Sequence, residues 1–341
     1  MPEAFDSLAI DLARYQAAHC AGYARLCAAK NVHIATISTA AEAPAVPTDA
    51  FKVARVATFA EGQARVTFRT SGTTLGDRGS HELRTTATVD AGALAFGRAA
   101  LTADLEARPA VVVVGPPPSE APDSSLTHML ALFVRELGDP SCGDDPWFLR
   151  EGIIDLARLD ERVSRLLQRG GPPVLLLATS FALVHFLDGL GEATFALPPG
   201  SRVMQTGGFK GRSREVSASE LAAEIERVFG VDAAHLISEY GMTELSSQFY
   251  DATLRGGAPG VMMEPPWARV VPVDPETLEP VREGEIGIAR IEDLLNVESA
   301  FAVQTADRVR RVSGGFELLG RAPGGTPRGC SIGIDELLGG A

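Results

Sequence analysis

Several things are scarce or missing from this 341-residue sequence, and each omission removes a class of protein. Its four cysteines, Cys20, Cys27, Cys142 and Cys330, contain no Cys-x-x-Cys pair. Cys20 and Cys27 sit in a stretch that reads as helix, about 10 Å apart along its axis, which is beyond disulfide reach. Reduced thiols and a cytoplasmic setting are therefore expected. No run of Lys or Arg stands out and the net charge is −13, so nucleic acid and anionic membrane surfaces are poor partners. The opening Met1-Pro2-Glu3-Ala4-Phe5-Asp6 lacks a basic region before an apolar stretch, so no signal peptide is expected. The longest apolar run, Val174 to Leu190, is interrupted by His185 and Asp188 and is too short for a membrane span. A Walker A loop, His-x-x-x-His and Cys-rich clusters are all absent. Their absence argues against a P-loop NTPase and a metal hydrolase.

What is present is a chain 45% apolar, enough for a large core and two or three subdomains. Residues 5 to 29 read as one amphipathic helix, with Phe5, Leu8, Leu12 and Tyr15 on one face and Asp6 or Ser7 as its cap. Val66 and Phe68 alternate with polar neighbours as in a half-buried strand, and residues 81 to 108 read as a helix. Ala110 to Val114 and Val174 to Leu177 are continuous apolar strands; helices are expected over 126 to 137, 156 to 168 and from Thr179-Ser180. Ser201 to Phe209 reads as a strand running into a glycine turn. Ser217-Ala218-Ser219-Glu220 then opens a helix to about Phe229 as a capping box would. Apolar strands alternating with helices predict an α/β fold with mostly parallel sheet. Beyond 260, short segments at 268–272, 287–292 and 309–312 between Pro/Gly turns predict a smaller β-rich subdomain. The expected division is thus 1–260 and 261–341.

Three polar loops follow buried strands, and in α/β sheets ligands bind where such loops converge. Thr70-Ser71-Gly72-Thr73-Thr74-Leu75-Gly76 offers backbone N–H groups and hydroxyls of the kind that cradle a polyphosphate; it also fits a plain surface turn. Gly207-Gly208 is the second loop. In the third, Tyr240 to Glu244, the tyrosine suits a purine face, the Thr243 hydroxyl a phosphate, and Glu244 a Mg²⁺ ion. A turn with a half-buried tyrosine is the alternative there. Asp307, in Thr305-Ala306-Asp307, suits a vicinal diol, and Arg321 suits a carboxylate or phosphate.

Taken in order, Thr70-Ser71-Gly72-Thr73-Thr74-x-Gly76, Glu239-Tyr240-Gly241-Met242-Thr243-Glu244, Gly284-Glu285-Ile286-Gly287, Thr305-Ala306-Asp307 and Gly320-Arg321 resemble the adenylate-forming superfamily. Thr206-Gly207-Gly208-Phe209-Lys210-Gly211 and Arg328-Gly329-Cys330-Ser331 look more like the acyl-protein synthetase (long-chain-fatty-acid–protein ligase) branch of bacterial luminescence, itself related to phenylacetate–CoA ligase. So does the length, which ends about where larger relatives begin a mobile C-terminal lid domain.

The resemblance implies a ligase that uses ATP and Mg²⁺ to convert a carboxylic acid, a fatty one in that branch, into acyl-AMP. Ser71, Gly72, Thr73 and Thr74 would hold the β- and γ-phosphates, and Gly207, Gly208 and Tyr240 would line the adenine site. Thr243 would touch the α-phosphate, Glu244 would assist Mg²⁺, and Asp307 would hold the ribose with Arg321 beside it. His185 would sit near the acyl carboxylate, although a lone histidine on an apolar helix also fits an ordinary core residue. Cys330 would take the acyl group as a thioester for a partner reductase, its thiolate favoured by Arg321 and Arg328; a half-buried structural cysteine is the alternative. Cys20, Cys27 and Cys142 look inert. The chain departs from the family pattern in Leu75, in lacking Pro-Lys after the loop, and in Ala306. Lys210, Arg328 or a partner would have to supply the missing cation. Transfer to coenzyme A or a carrier thiol is one alternative, a non-catalytic nucleotide-binding partner of a reductase another. Homo-oligomerisation is left open.

Overall fold

The computed structural model describes residues 2–70, 78–143, 145–168, 170–207 and 217–322. In chain order it begins with helices α1 (Pro2–His19) and α2 (Ala21–Ala29), strand β1 (Val46–Pro47) and the short helix α3 (Ala50–Val53). The hairpin β2 (Val66–Arg69) and β3 (Ser80–Leu83) leads into α4 (Ala87–Leu101), β4 (Ala110–Val114) and α5 (Ser125–Glu136). Then come β5 (Leu149–Arg150), β6 (Ile153–Ile154), α6 (Leu156–Gln168), β7 (Val174–Thr179), α7 (Ser180–Leu190), β8 (Arg202–Thr206) and α8 (Ala218–Phe229). The remaining strands are β9 (Leu236–Tyr240), β10 (Phe249–Asp251), β11 (Val261–Met263), β12 (Ala268–Val273), β13 (Ile286–Asp293), β14 (Ala302–Val312) and β15 (Gly315–Arg321).

These elements form two compact units, each assembled from separate stretches of chain. One comprises residues 1–92, 242–248 and 264–341; the other comprises 93–241 and 249–263. The texture change expected near 260 falls close to the switch at 263/264. The return of the first 92 residues to the C-terminal strands gave no such local signal.

In the second of these units the sheet order is β11-β10-β9-β8-β7-β4. Strands β4, β7, β8 and β9 are parallel, and β10 and β11 continue antiparallel. Both faces must be covered, so these strands are nearly unbroken apolar runs: all five residues of β4 are buried. On one face Val112, Leu176 and Val203 pack with Leu183 and Phe186 of α7 and with Ile225 and Phe229 of α8. Local chemistry sets the helix starts. Thr179 accepts from the Ala182 N–H, and Ser217 and Glu220 form the expected reciprocal capping box. On α4, Gly97 is a close approach: a Cβ there would lie 2.5 Å from Phe133 of α5.

The other unit is built on an antiparallel sheet, β12-β13-β14-β15, with β1 parallel to β14. Its helices correct two expectations. The single helix over 5–29 breaks at Cys20, whose backbone is extended, and α2 then buries Tyr23, Leu26 and Cys27. Asp6 is therefore interior to α1 rather than its cap, and it accepts from the Ala40 N–H and pairs with Arg269. Residues 81–86 are not helical either. Strand β3 pairs with β2 as a hairpin, so the glycine loop is flanked by an antiparallel hairpin and not by a strand of the parallel sheet.

An ion network lies beneath these elements. Glu292 is fully buried and accepts from Arg269 Nε at 2.5 Å and from Arg290 Nε at 3.0 Å. The Arg290 guanidinium also donates to the carbonyls of Ala40 and Ala43, each at 2.8 Å. Nearby, the buried Gln16 side chain donates to the Asn296 carbonyl and accepts from the Phe301 N–H.

Candidate active site

The loop of residues 242–248 is held by its neighbours within the antiparallel unit. The buried Asp293 carboxylate accepts from the Ser246 N–H at 2.8 Å, the Ser247 hydroxyl at 2.7 Å and the Leu295 N–H at 3.0 Å. Burial raises its pKa to about 6 against those donors. Trp267 Nε1 donates to Ser247, and Asn296 Nδ2 donates to the carbonyls of Glu244 and Ala300, both at 2.8 Å. These bonds engage the Glu244 carbonyl and the Ser246 N–H of the loop backbone, not the Glu244 side chain.

Glu244 is 7% exposed, and burial lifts its pKa to about 7. Among the described residues no cation lies within ion-pairing distance of its carboxylate. Arg321 and Lys52 nonetheless act on it through space, favouring the ionised form, while Asp49 opposes them. Arg321 stands directly opposite Asp307 across β14 and β15, and its Nε lies 3.2 Å from Asp307 Oδ1. Asp307 is mostly buried and Arg321 mostly exposed. Thr243, Glu244, Asp307 and Arg321 thus belong to one compact unit, with Glu244 and Arg321 in electrostatic reach of one another.

The flanks of the Thr70–Gly79 segment are in the same unit. Thr70 N–H donates to the Gly79 carbonyl at 3.0 Å, the Gly79 N–H to the Thr70 hydroxyl at 2.8 Å, and Arg78 Nε to the Thr70 carbonyl. Gly79 sits where a Cβ would crowd Thr70 and Phe51. Two residues on, the buried His81 puts Nδ1 2.7 Å from the Thr243 carbonyl. Sequence reading did not single out His81. Nothing local marks it, because its partner is 162 residues away.

The other described residues of the expected site lie in the parallel-sheet unit, Gly207 and Tyr240 at the carboxyl ends of strands and His185 on α7. Gly207 follows β8 with φ +79°, and its carbonyl accepts from the Ser180 hydroxyl at 2.5 Å. A Cβ on Gly207 would meet open space. Tyr240 ends β9. It is buried, with its ring 5.9 Å from that of Phe249, so it is more enclosed than the half-buried alternative supposed. His185 is exposed on α7 and stacks on Phe181, itself 41% exposed, which removes the core-histidine alternative. Gln205 donates to Ser238, and the Thr206 hydroxyl donates to Glu239. Full burial raises the Glu239 pKa to about 7.

Ser71, Gly72, Thr73, Thr74, Gly208, Lys210, Arg328 and Cys330 fall outside the described residues. Cys20, Cys27 and Cys142 are not in disulfides. Burial pushes the Cys27 thiol up to about 11, so that one is a poor nucleophile at neutral pH. No helix among the described residues is long and apolar enough to cross a membrane.

Comparison with known proteins adds independent findings. The family described as acyl-protein synthetase, LuxE, matches residues 4–338. No curated protein matches the sequence. Among solved structures, 2-hydroxyisobutyryl-CoA ligase in the postadenylation state, in complex with 2-HIB-AMP, superposes with a TM-score of 0.69. It shares 15% identity, with 94% of this chain and 67% of that one covered. An open conformation of that ligase in complex with 2-HIB-AMP and CoA gives 0.65 at 14% identity, covering 92% and 73%. ATP-bound MatB from Rhodopseudomonas palustris gives 0.52 at 15% identity, covering 77% of this chain. The chain spans half the length of that MatB chain, 50%. At these identities the superpositions speak to the fold, which is that of the adenylate-forming ligases.

Proposed function

Because this chain belongs to the acyl-protein synthetase (LuxE) family, we propose that it activates a carboxylic acid with ATP and passes the acyl group to a thiol. An acid oxygen attacks the α-phosphorus, the bond to the β-phosphate breaks, and pyrophosphate leaves. The resulting acyl-AMP is a mixed anhydride. Attack on its carbonyl by the Cys330 thiolate forms a thioester and releases AMP, and a partner reductase then takes the acyl group. Structural neighbours bind ATP, or an acyl-AMP and CoA, which makes the same first step the natural reading here.

The observation that carries this reading is the buried Glu244 carboxylate, within electrostatic reach of Arg321 and Lys52 in the unit that also contains Thr243 and Asp307. A carboxylate with no ion-pair partner among the described residues fits Mg²⁺, which takes one or two protein carboxylates plus substrate phosphates. When bound, Mg²⁺ would offset the negative charge of the phosphates. In this reading Ser71, Gly72, Thr73 and Thr74 hold the β- and γ-phosphates, and Thr243 donates to the α-phosphate. Gly207, Gly208 and Tyr240 border the adenine, and Asp307 takes the ribose hydroxyls with Arg321 alongside. Exposed His185 and Phe181 on α7 face the acid, an apolar surface with one polar tip.

The test is ATP–pyrophosphate exchange across a panel of carboxylic acids. Acid-dependent exchange is expected, and its absence for every acid would leave a nucleotide-binding partner as the better description. Glu244→Gln should cut exchange by about 10²-fold, the scale of losing one transition-state electrostatic contact. Protein labelled with radioactive acid should release the acyl group to hydroxylamine, and Cys330→Ser should not label. Labelling that survives this change, with thioester formed on added coenzyme A, would redirect the second step to a soluble thiol.

A further inference from the structure

We propose that His81 is a positioning residue that locks the Thr243–Glu244 loop to the hairpin carrying the Thr70–Gly79 segment. Three observations meet at this side chain. Its Nδ1 lies 2.7 Å from the Thr243 carbonyl oxygen, a group that only accepts. The ring is fully buried, and burial pushes its pKa below the usual histidine range, which selects the neutral ring. The proton is therefore on Nδ1, and Nε2 is sealed from solvent beside Asn296. The ring's position is itself fixed: Phe51 of α3 meets it edge-on at 6.1 Å, and Phe68 is its register partner on β2.

The consequence concerns two segments far apart in sequence. Strand β3 starts immediately after Gly79, which is bonded to Thr70. At the far end of β3, Arg84 holds Glu298 through its N–H and Nε, each at 2.7 Å. Between those ends, His81 carries the hydrogen bond by which β3 holds the backbone that presents the Thr243 hydroxyl and the Glu244 carboxylate. Asn296 holds the next carbonyl, that of Glu244, from another direction. Two successive carbonyls are thus clamped by two buried side chains. A backbone clamped in this way has lost its conformational freedom before any ligand arrives.

The assignment rests on the proposed function for what is positioned, and on geometry alone for the clamp. In the paired variants His81→Asn and His81→Gln, the Asn amide reaches the place of Nδ1 and the Gln amide that of Nε2. In pyrophosphate exchange, His81→Gln should raise the KM for ATP about tenfold, one hydrogen bond's worth, with a smaller change in kcat. His81→Asn should stay within about threefold. Equal effects, or a larger loss in Asn, would overturn the assignment. Amide hydrogen exchange across residues 241–248 gives a readout independent of activity: faster in His81→Gln, near wild type in His81→Asn. Ring nitrogen NMR should find the proton on Nδ1, and a proton on Nε2 instead would sink the clamp. Should wild-type protein show no exchange with any acid, the proposed function fails, while hydrogen exchange and the ring tautomer still decide His81.

Discussion

In the parallel sheet, β4 buries five successive apolar residues, Ala110 to Val114, whereas β13 of the antiparallel sheet buries Arg290, Glu292 and Asp293. The first arrangement needs only shape and area: its side chains gain by leaving water, whatever stands opposite. The second needs particular partners, since each buried charge is costly until it meets an opposite charge or enough donors. Both kinds of core carry expected site residues. The apolar sheet presents Gly207 and Tyr240 at strand ends, while the polar core fixes the backbone around Thr243 and Glu244 atom by atom. A core of interchangeable packing supports a platform, and a core of specific bonds supports a positioned group.

Substitutions in both cores would test that contrast. Phe186→Ala removes a buried ring stacked 5.7 Å from Phe229 and should cost about 3–5 kcal/mol in urea unfolding. Glu292→Ala should cost a similar amount, about 3–5 kcal/mol, because it leaves the buried Arg290 guanidinium without a carboxylate and Arg269 with Asp6 alone. The two differ in how they can be rescued. Arg269→Met and Arg290→Met added to Glu292→Leu should regain only part of the loss, since the Ala40 and Ala43 carbonyls lose their donor. Full recovery would show that the polar core is as interchangeable as the apolar one.

Glu239 is the exception that sharpens the comparison, a carboxyl buried at the end of an apolar-sheet strand. Its folded pKa of about 7 lies above the ordinary 4.5, so between those values the native protein holds a proton that the unfolded chain releases. Stability should therefore fall as pH rises from about 4.5 to 7. Glu239→Gln should flatten that slope, gaining at most about 3 kcal/mol over wild type at pH 8 relative to pH 4. An unchanged slope in thermal melts would mean that Glu239 is ionised in the native protein. The smallest effect belongs to Ser217→Ala, about 1 kcal/mol from the lost capping box, read from the unfolding midpoint.

The elements legible in the sequence are those whose cause is local. The helix over 156–168, the Thr179 start of α7 and the Ser217 cap appear as expected, because periodicity and capping act within a few residues. The misread elements share another cause. Residues 81–86 resemble a helix start, yet Ser80–Leu83 pair with β2. The helix over 5–29 breaks at Cys20, between Gln16, which docks on Asn296 and Phe301, and the buried residues of α2. Likewise, the sequence pattern exposed Glu244 and Asp307 as candidates through their motif neighbours. It gave no sign of His81, Asp293 or Asn296, whose partners come from distant segments.

By itself the sequence determined the alternation of apolar strands and capped helices, the α/β class and the family to which the chain belongs, since these follow from local periodicity and ordered motifs. Tertiary structure alone decided that residues 1–92 join the C-terminal strands, that Glu244 is buried in reach of Arg321, and that His81 grips the Thr243 carbonyl. Burial and hydrogen bonding depend on which distant groups arrive at the same place, and no short window of sequence carries that information.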